Sequence, residues 1–141
     1  MIAGIGSYLK AKLPDCDVVG CWPRNAPAMH DCIQKGEIYD VVETDTLSDG
    51  SAGGIEEGAI TFPICREVID RNVLVSEEEI ASAMRETAEH ERYIVEGAAG
   101  VAIASALKTG PDYRDGNIAI VVCGRNVSMR TFRKVMADAE L

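Results

Sequence analysis

Short apolar runs alternate along the chain with segments in which apolar residues recur at helical spacing. Four runs predict strands, at 17–22, 39–42, 72–75 and 117–123. The last run is nearly all apolar, which is typical of a strand buried on both faces. The helical spacing predicts six helices, over 2–12, 26–35, 61–70, 76–92, 96–107 and 129–139. Strands that alternate with helices favour an α/β fold with a mostly parallel sheet flanked by helices.

Capping residues support two of these helices. Ser76 stands at a helix start and Glu79 follows three residues later, which is the spacing of a capping box. Asn25 and Gly36 are the expected N-cap and C-cap of the helix over 26–35. Residues 45–58 are rich in Gly, Ser and Asp, so they predict a loop.

The composition fits one globular domain over residues 1–141. Asp and Glu number 23 against 14 Lys and Arg, which gives a net charge of −9. Nucleic acids and anionic membranes are bound by basic surfaces, so we expect neither as a partner. No apolar run approaches the roughly 18 residues of a membrane-spanning helix. The first residues carry no basic cluster of a signal peptide, and we therefore expect a cytoplasmic protein.

Five cysteines are scattered along the chain, at Cys16, Cys21, Cys32, Cys65 and Cys123. None forms a C-x-x-C pair, and no histidine pair completes a zinc-binding spacing, so we expect no such metal site. The first four are expected to be reduced thiols that pack as small apolar residues.

Two loops occupy the positions where ligands of parallel α/β sheets bind, after the carboxyl ends of strands. One contains Ser48, Asp49 and Gly50, and the other is the Cys-Gly-Arg-Asn segment at 123–126. By themselves these loops also fit an ordinary Asp-Gly turn and a buried cysteine at a strand end.

Four segments in fixed order resemble the serine/threonine dehydratases, pyridoxal-phosphate (PLP) enzymes with the tryptophan-synthase-β-like fold, also called fold type II. They are TLSDGSAGGIEEGAITF, VLVSEEEIASAM, VEGAAGVAIAS and IVVCGRN. The opening segment, IAGIGSYLKAKLPDCDVVGCWP, is also similar to that family. The resemblance covers essentially the whole chain and implies part of the large domain of a fold-type II enzyme.

The resemblance also implies what the chain lacks. Family members are roughly twice as long and hold PLP covalently through a lysine in an S-F-K-x-R-G-type segment. None of the five lysines lies in such a segment: Lys10, Lys12, Lys35, Lys108 and Lys134. The glycine-rich loop that cradles the PLP phosphate is missing too. The chain is therefore expected to match the C-terminal portion of a dehydratase, without the lysine-bearing half, with no catalytic lysine and no covalently bound PLP.

What the resemblance implies for single residues is one wall of a cofactor site. Cys123 takes the position that hydrogen-bonds the pyridine nitrogen of PLP, and a thiol is a weak, neutral partner for it. The other matched positions are Asp49 and Gly50 beside the ring, Glu96 at a helix start near the cofactor, and Gly124 and Asn126 in the turn after Cys123. An acidic first helical turn is the ordinary interpretation of Glu96. Arg125 departs from the family, which usually has glycine there.

Some family members bind a divalent cation through a Glu and an Asp after the strand that DVVGC predicts. Trp22 and Ala28 occupy those positions, and neither can coordinate a hard cation, so this metal site is expected to be absent.

Dehydration and deamination of L-threonine or L-serine to a 2-oxo acid and ammonia is the parent activity that the resemblance implies. The chain alone is expected to be catalytically incompetent. Two other classes stay open: a non-catalytic domain that self-associates or binds a partner protein, and a small-molecule binding module. A homo-oligomer is expected in which the first helix, at 2–13, forms the contact, because the neighbours that cover this segment in a whole dehydratase are missing.

Overall fold

A computed structural model describes residues 1–113 and 116–137 of the chain. Its elements, in chain order, are α1 (Ile2–Lys12), β1 (Val19–Pro23), α2 (Ala28–Lys35), α3 (Thr61–Val68), β2 (Arg71–Val75), α4 (Glu77–Glu91), α5 (Gly97–Thr109) and α6 (Met129–Met136). Two short 3-10 turns, Asp49–Ser51 and Gly110–Tyr113, lie in the connections.

The sheet consists of β1 and β2, which pair in parallel with Val19 opposite Arg71 and Pro23 opposite Val75. Parallel neighbours need a crossover, and here the crossover contains α2 and α3. Helices flank the sheet, so the predicted α/β class with parallel pairing is confirmed.

The core lies where β2 meets α4, α5 and α6. Val75, Ile80, Met84, Val95 and Val135 are all fully buried there. Close packing of α4 on α5 depends on Gly100, because a Cβ at this position would lie 3.0 Å from the Met84 side chain and 3.1 Å from that of Ile80.

The first helix joins the sheet through an ion pair. Lys10 Nζ lies 2.6 Å from Asp70 Oδ2, and the same oxygen accepts a 2.7 Å hydrogen bond from the Val18 amide. The Lys10 ammonium, and then the Val18 N–H, hold the pKa of Asp70 below its ordinary value. The pair therefore anchors α1 beside the start of β1.

Local capping signals are mostly confirmed. Ser76 Oγ accepts the Glu79 N–H at 3.3 Å, and Glu79 Oε2 accepts the Ser76 N–H at 2.8 Å, which completes the predicted capping box. Gly36 ends α2 in the left-handed conformation, with φ +87°. Asn25 as the N-cap of α2 is wrong: the helix begins after Pro27, because the Asn25 side-chain amide instead donates to the Asp45 carbonyl.

Two predicted strands are wrong. Residues 39–42 and 117–123 form no strand in the described structure, and Ile118, Ile120, Val121 and Val122 are 43–49% exposed rather than buried. Apolar content favours burial, but a strand also needs a hydrogen-bonded neighbour, and within residues 1–113 and 116–137 β1 and β2 pair only with each other. The segment 117–123 therefore lies outside the sheet, and all its residues are exposed.

The predicted helix bounds hold within two residues where the structure describes them. The helix predicted over 61–70 ends at Val68, because Ile69 is already extended on the way into β2. The end predicted at 139 for the last helix falls outside the described residues. Within 1–113 and 116–137, every helix is too short or too polar to span a membrane.

Candidate functional site

The two loops that the resemblance places beside the cofactor meet at Glu96, which precedes α5. The Glu96 N–H donates to the Gly124 carbonyl at 3.2 Å, and the Asn126 N–H donates to Glu96 Oε2 at 2.7 Å. A Cβ built on Gly50 would lie 3.5 Å from Glu96 Oε1. The Glu96 carboxylate therefore lies between the turn at 123–126 and the 3-10 turn at Asp49–Ser51.

Backbone contact fixes the 3-10 turn against the start of α5. A Cβ on Gly97 would overlap the Leu47 carbonyl group and come within 2.8 Å of the Ser48 nitrogen. Ser48 is fully buried, and its hydroxyl lies 2.5 Å from that of Ser51. Only glycine permits this approach, so Gly97 sets the distance between the loop and the helix.

Glu77 provides a second anchor for the same loop. Its carboxylate accepts hydrogen bonds from the Thr46 hydroxyl and the Leu47 N–H, each at 2.7 Å. The sequence places Glu77 only in the first turn of the helix predicted over 76–92. The 30-residue separation from Leu47 has no local signal, which is why sequence reasoning missed this contact.

An open cleft of about 810 Å³ lies beside these loops. The starts of α4, α5 and α6, together with the loop residues before the 3-10 turn, form its walls. Its lining residues are Arg24, Asn25, Asp45, Thr46, Leu47, Asp49, Ser76, Glu77, Glu78, Glu96, Gly97, Asn126, Val127, Ser128, Thr131 and Lys134. A cleft of this volume lies in the range of small-molecule sites.

The six predicted site residues fall into three different placements in the structure. Asp49, Glu96 and Asn126 line the cleft. Gly50 and Gly124 instead pack against the Glu96 carboxylate, close enough that a Cβ on Gly124 would overlap it. Cys123 is an exposed free thiol at the end of the open segment 117–123 rather than a buried residue at a strand end.

Lys134 is a cleft residue that sequence reasoning did not single out. It lies on α6 and lines the cleft together with Thr131, three residues earlier on the same helix face. Three other lysines form ion pairs: Lys10 with Asp70, Lys35 with Glu37 and Lys108 with Glu79. Among the described lysines, Lys134 is thus the one that reaches the cleft.

The positions expected to lack a metal site hold apolar side chains in close packing. Trp22 is buried with its ring edge-on to His30 at 5.7 Å, and Ala28 is buried at the start of α2. Over the described ranges, no group of three or more His, Cys, Asp or Glu side chains is placed to hold a metal ion.

The sequence of the chain also matches the profile of a known protein family. The profile described as "Pyridoxal-phosphate dependent enzyme" matches residues 1–124. The chain belongs to this PLP-dependent family. The match includes α1 through α5 and ends at Gly124, within the turn that packs on Glu96.

Relatives and solved structures agree with this family. An L-threonine ammonia-lyase from Geobacter sulfurreducens is 37% identical over 136 residues, which cover 96% of this chain and 34% of the relative. The processed form of threonine deaminase isoform 2 from Solanum lycopersicum superposes with a TM-score of 0.86 at 32% identity, covering 99% of this chain and 41% of that one. Maize serine racemase gives a TM-score of 0.82 at 26% identity, covering 96% and 43%.

These matches confirm the fold-type II assignment and the resemblance to part of a threonine dehydratase. The chain spans 34–43% of the length of these three proteins.

Proposed function

We propose that this chain forms one wall of the PLP site of a threonine- or serine-dehydratase-like enzyme, and that by itself it does not catalyse the reaction. The observation that supports the proposal is the meeting of the turns at Asp49–Ser51 and 123–126 on Glu96, at the rim of an 810 Å³ cleft. In this family PLP supplies the electron-withdrawing ring that stabilises charge at the substrate Cα.

The residues present fit the ring side of such a site. Cys123 offers a neutral thiol, a weak partner that leaves a pyridine nitrogen largely unprotonated. The Asp49–Ser51 turn offers backbone at Gly50, and the 123–126 turn offers Gly124 and Asn126. Glu96 bonds the 123–126 turn through its backbone N–H and its carboxylate, and the same carboxylate lies beside Gly50 of the other turn.

Two parts of a complete site have to come from outside these residues. One is a glycine-rich phosphate loop, and the other is the lysine that binds PLP covalently in the family. Lys134 reaches the cleft, but it lies on α6, beyond the last residue that the family profile matches. We therefore infer that Lys134 does not replace the family lysine and that PLP is not held covalently by this chain.

A direct test is to incubate the chain with PLP, reduce with borohydride, and locate any phosphopyridoxyl group by mass spectrometry. No stable adduct on Lys134 is expected, and L-threonine should give no 2-oxobutanoate above a control without protein. A phosphopyridoxyl adduct that forms on Lys134 of the unmodified chain, and is lost in Lys134→Arg, would contradict the proposal. It would mean that this chain supplies its own PLP-binding lysine.

A chimera tests whether the chain forms one wall of a working PLP site. The part of the Geobacter L-threonine ammonia-lyase that precedes the matched region would be fused to this chain, which aligns over 96% of its length. We expect a folded chimera that converts L-threonine, keeps activity as Cys123→Ser, and loses it as Cys123→Asp, because a carboxylate would favour protonation of the ring nitrogen. A chimera that folds and binds PLP without turnover would overturn the assignment.

A second candidate is a domain that associates with itself or with another protein. It is supported by the exposed apolar residues of two surfaces, one on α1 (Met1, Ile5 and Tyr8) and one at 118–122. Contiguous exposed apolar patches mark interaction sites on soluble proteins. Concentration-dependent light scattering tests this candidate, since a mass that stays constant near 15.1 kDa excludes self-association. A cytoplasmic location remains our expectation for either candidate.

A further inference from the structure

Two short segments pair side by side at the rim of the cleft. Residues 93–96 link α4 to α5, and residues 123–126 form the turn that follows the open segment. The Glu96 N–H donates to the Gly124 carbonyl, and the Asn126 N–H donates to Glu96 Oε2. Two of the contacts between the segments therefore involve the residue whose carboxylate lies on the cleft.

Arg125 adds two further contacts between the same segments. Its Nε–H donates to the Ile94 carbonyl at 3.2 Å, and its guanidinium carbon lies 4.4 Å from the centre of the Tyr93 ring. Arginine over an aromatic face is attracted by the ring quadrupole. The charge is thus directed toward Tyr93 and Ile94, whereas the cleft is lined by its neighbour Asn126.

The turn receives little support from the chain before it. Residues 117–122 form no strand and are exposed, whereas Val127, just after the turn, packs against the core. The side of the turn that follows the open segment is thus held by its contacts with 93–96.

The 123–126 turn and the Glu96 carboxylate have little room to move relative to each other. A Cβ on Gly124 would overlap the Glu96 carboxylate, so the carboxylate already packs directly on the backbone of the turn. A shift of the turn away from Tyr93 would break the 2.7 Å bond between Asn126 and Glu96 and leave the carboxylate free to rotate.

We propose that Arg125 is a positioning residue: its contacts with Tyr93 and Ile94 clamp the 123–126 turn onto residues 93–96 and so fix the Glu96 carboxylate at the cleft. The proposal rests on the proposed function only in taking the cleft as the cofactor site. The clamp itself is a property of the free chain, and its test uses neither PLP nor turnover.

Amide hydrogen exchange by NMR on the whole chain is the test. In Arg125→Met, the Glu96 and Asn126 amides should exchange about tenfold faster, because the local opening that exposes them becomes easier. The NMR chemical shift of the Asn126 amide proton should also change, because its hydrogen bond to the Glu96 carboxylate is lost. Amides inside α4 should not change. The matched control is Arg133→Met, which removes the same charge from an exposed arginine of α6.

The aromatic partner gives an independent check. Tyr93→Phe keeps the ring and should behave like the unmodified chain. Tyr93→Leu should accelerate exchange at the same two amides, but less than Arg125→Met, because the hydrogen bond from Arg125 to the Ile94 carbonyl is kept. The double variant Tyr93→Leu/Arg125→Met should exchange no faster than Arg125→Met alone, since that substitution already removes both contacts.

Three outcomes would overturn the proposal. They are unchanged exchange at Glu96 and Asn126 in Arg125→Met, an equal effect of Arg133→Met, and an acceleration spread evenly over the whole chain, which would indicate general destabilisation. If the chimera is inactive but the amide exchange changes as expected, the clamp is supported and only the proposed function is rejected.

Discussion

Glycines decide how closely the residues around Glu96 approach one another. Gly97 allows α5 to touch the Leu47 backbone, and Gly124 allows the 123–126 turn to touch the Glu96 carboxylate. From the sequence, these glycines could be placed beside a site through the resemblance, but not assigned to the particular contact each one makes. Asp49, Glu96 and Asn126 line the cleft, and their role at a cofactor stays a prediction. Glu77 and Lys134 reach the site through contacts far apart in sequence.

Gly97→Ala should destabilise the chain by about 1–3 kcal/mol, because the added methyl overlaps backbone that cannot rotate away. Gly4→Ala is the matched control in α1, where a Cβ meets nothing within 4 Å. It should stabilise by up to about 1 kcal/mol, since alanine is the better helix former. Urea unfolding measures both, and a Gly97→Ala chain as stable as the Gly4→Ala chain would show that the loop yields easily.

Asp70 should make stability fall in acid. Its pKa is lowered in the folded chain by Lys10 and the Val18 N–H, so the ion pair stabilises the fold above the unfolded-state pKa of about 4 and is lost as the pH drops below it. Thermal unfolding between pH 6 and pH 3 should therefore show a smaller loss for Asp70→Asn than for the unmodified chain. The control is Asp15→Asn, at an exposed carboxylate, and it should keep the full acid dependence.

Among the elements, those with local signals were predicted well and those that need distant partners were not. The helix over 2–12 and the capping box at Ser76 and Glu79 depend on residues within one or two turns, and both are confirmed. The segment 117–123 has the composition of a strand. In the described part of the chain it has no strand with which to pair, so it does not join the sheet.

Ser76→Ala should cost about 1 kcal/mol, because the start of α4 loses its side-chain acceptor. Ser76→Asp should recover most of that stability, since a carboxylate caps equally well and suits the positive end of the helix dipole. The control is Ser82→Ala, within the same helix, where alanine should be neutral or slightly stabilising. Equal losses at positions 76 and 82 would mean that the capping box contributes little.

At the scale of the whole molecule, net charge and exposed apolar surface have opposite effects on self-association. The net charge of −9 opposes the association of two copies. The exposed apolar residues at 118–122 and on α1 favour it, and the segment 117–123 contains no charged residue. More than half of each of the three proteins compared above lies outside the part that this chain spans.

We expect the chain to form an oligomer in which α1 lies at the contact and more than about 1,000 Å² is buried in total, since a smaller interface would not overcome the repulsion. Light scattering over a dilution series should then give a mass at micromolar concentration that is a multiple of 15.1 kDa. Tyr8→Lys, on the exposed face of α1, should shift the population to monomer, whereas Ile120→Lys, at the other apolar surface, should not. If only Ile120→Lys dissociates the oligomer, the contact lies at 118–122, and a single species near 15.1 kDa for the unmodified chain would exclude self-association altogether.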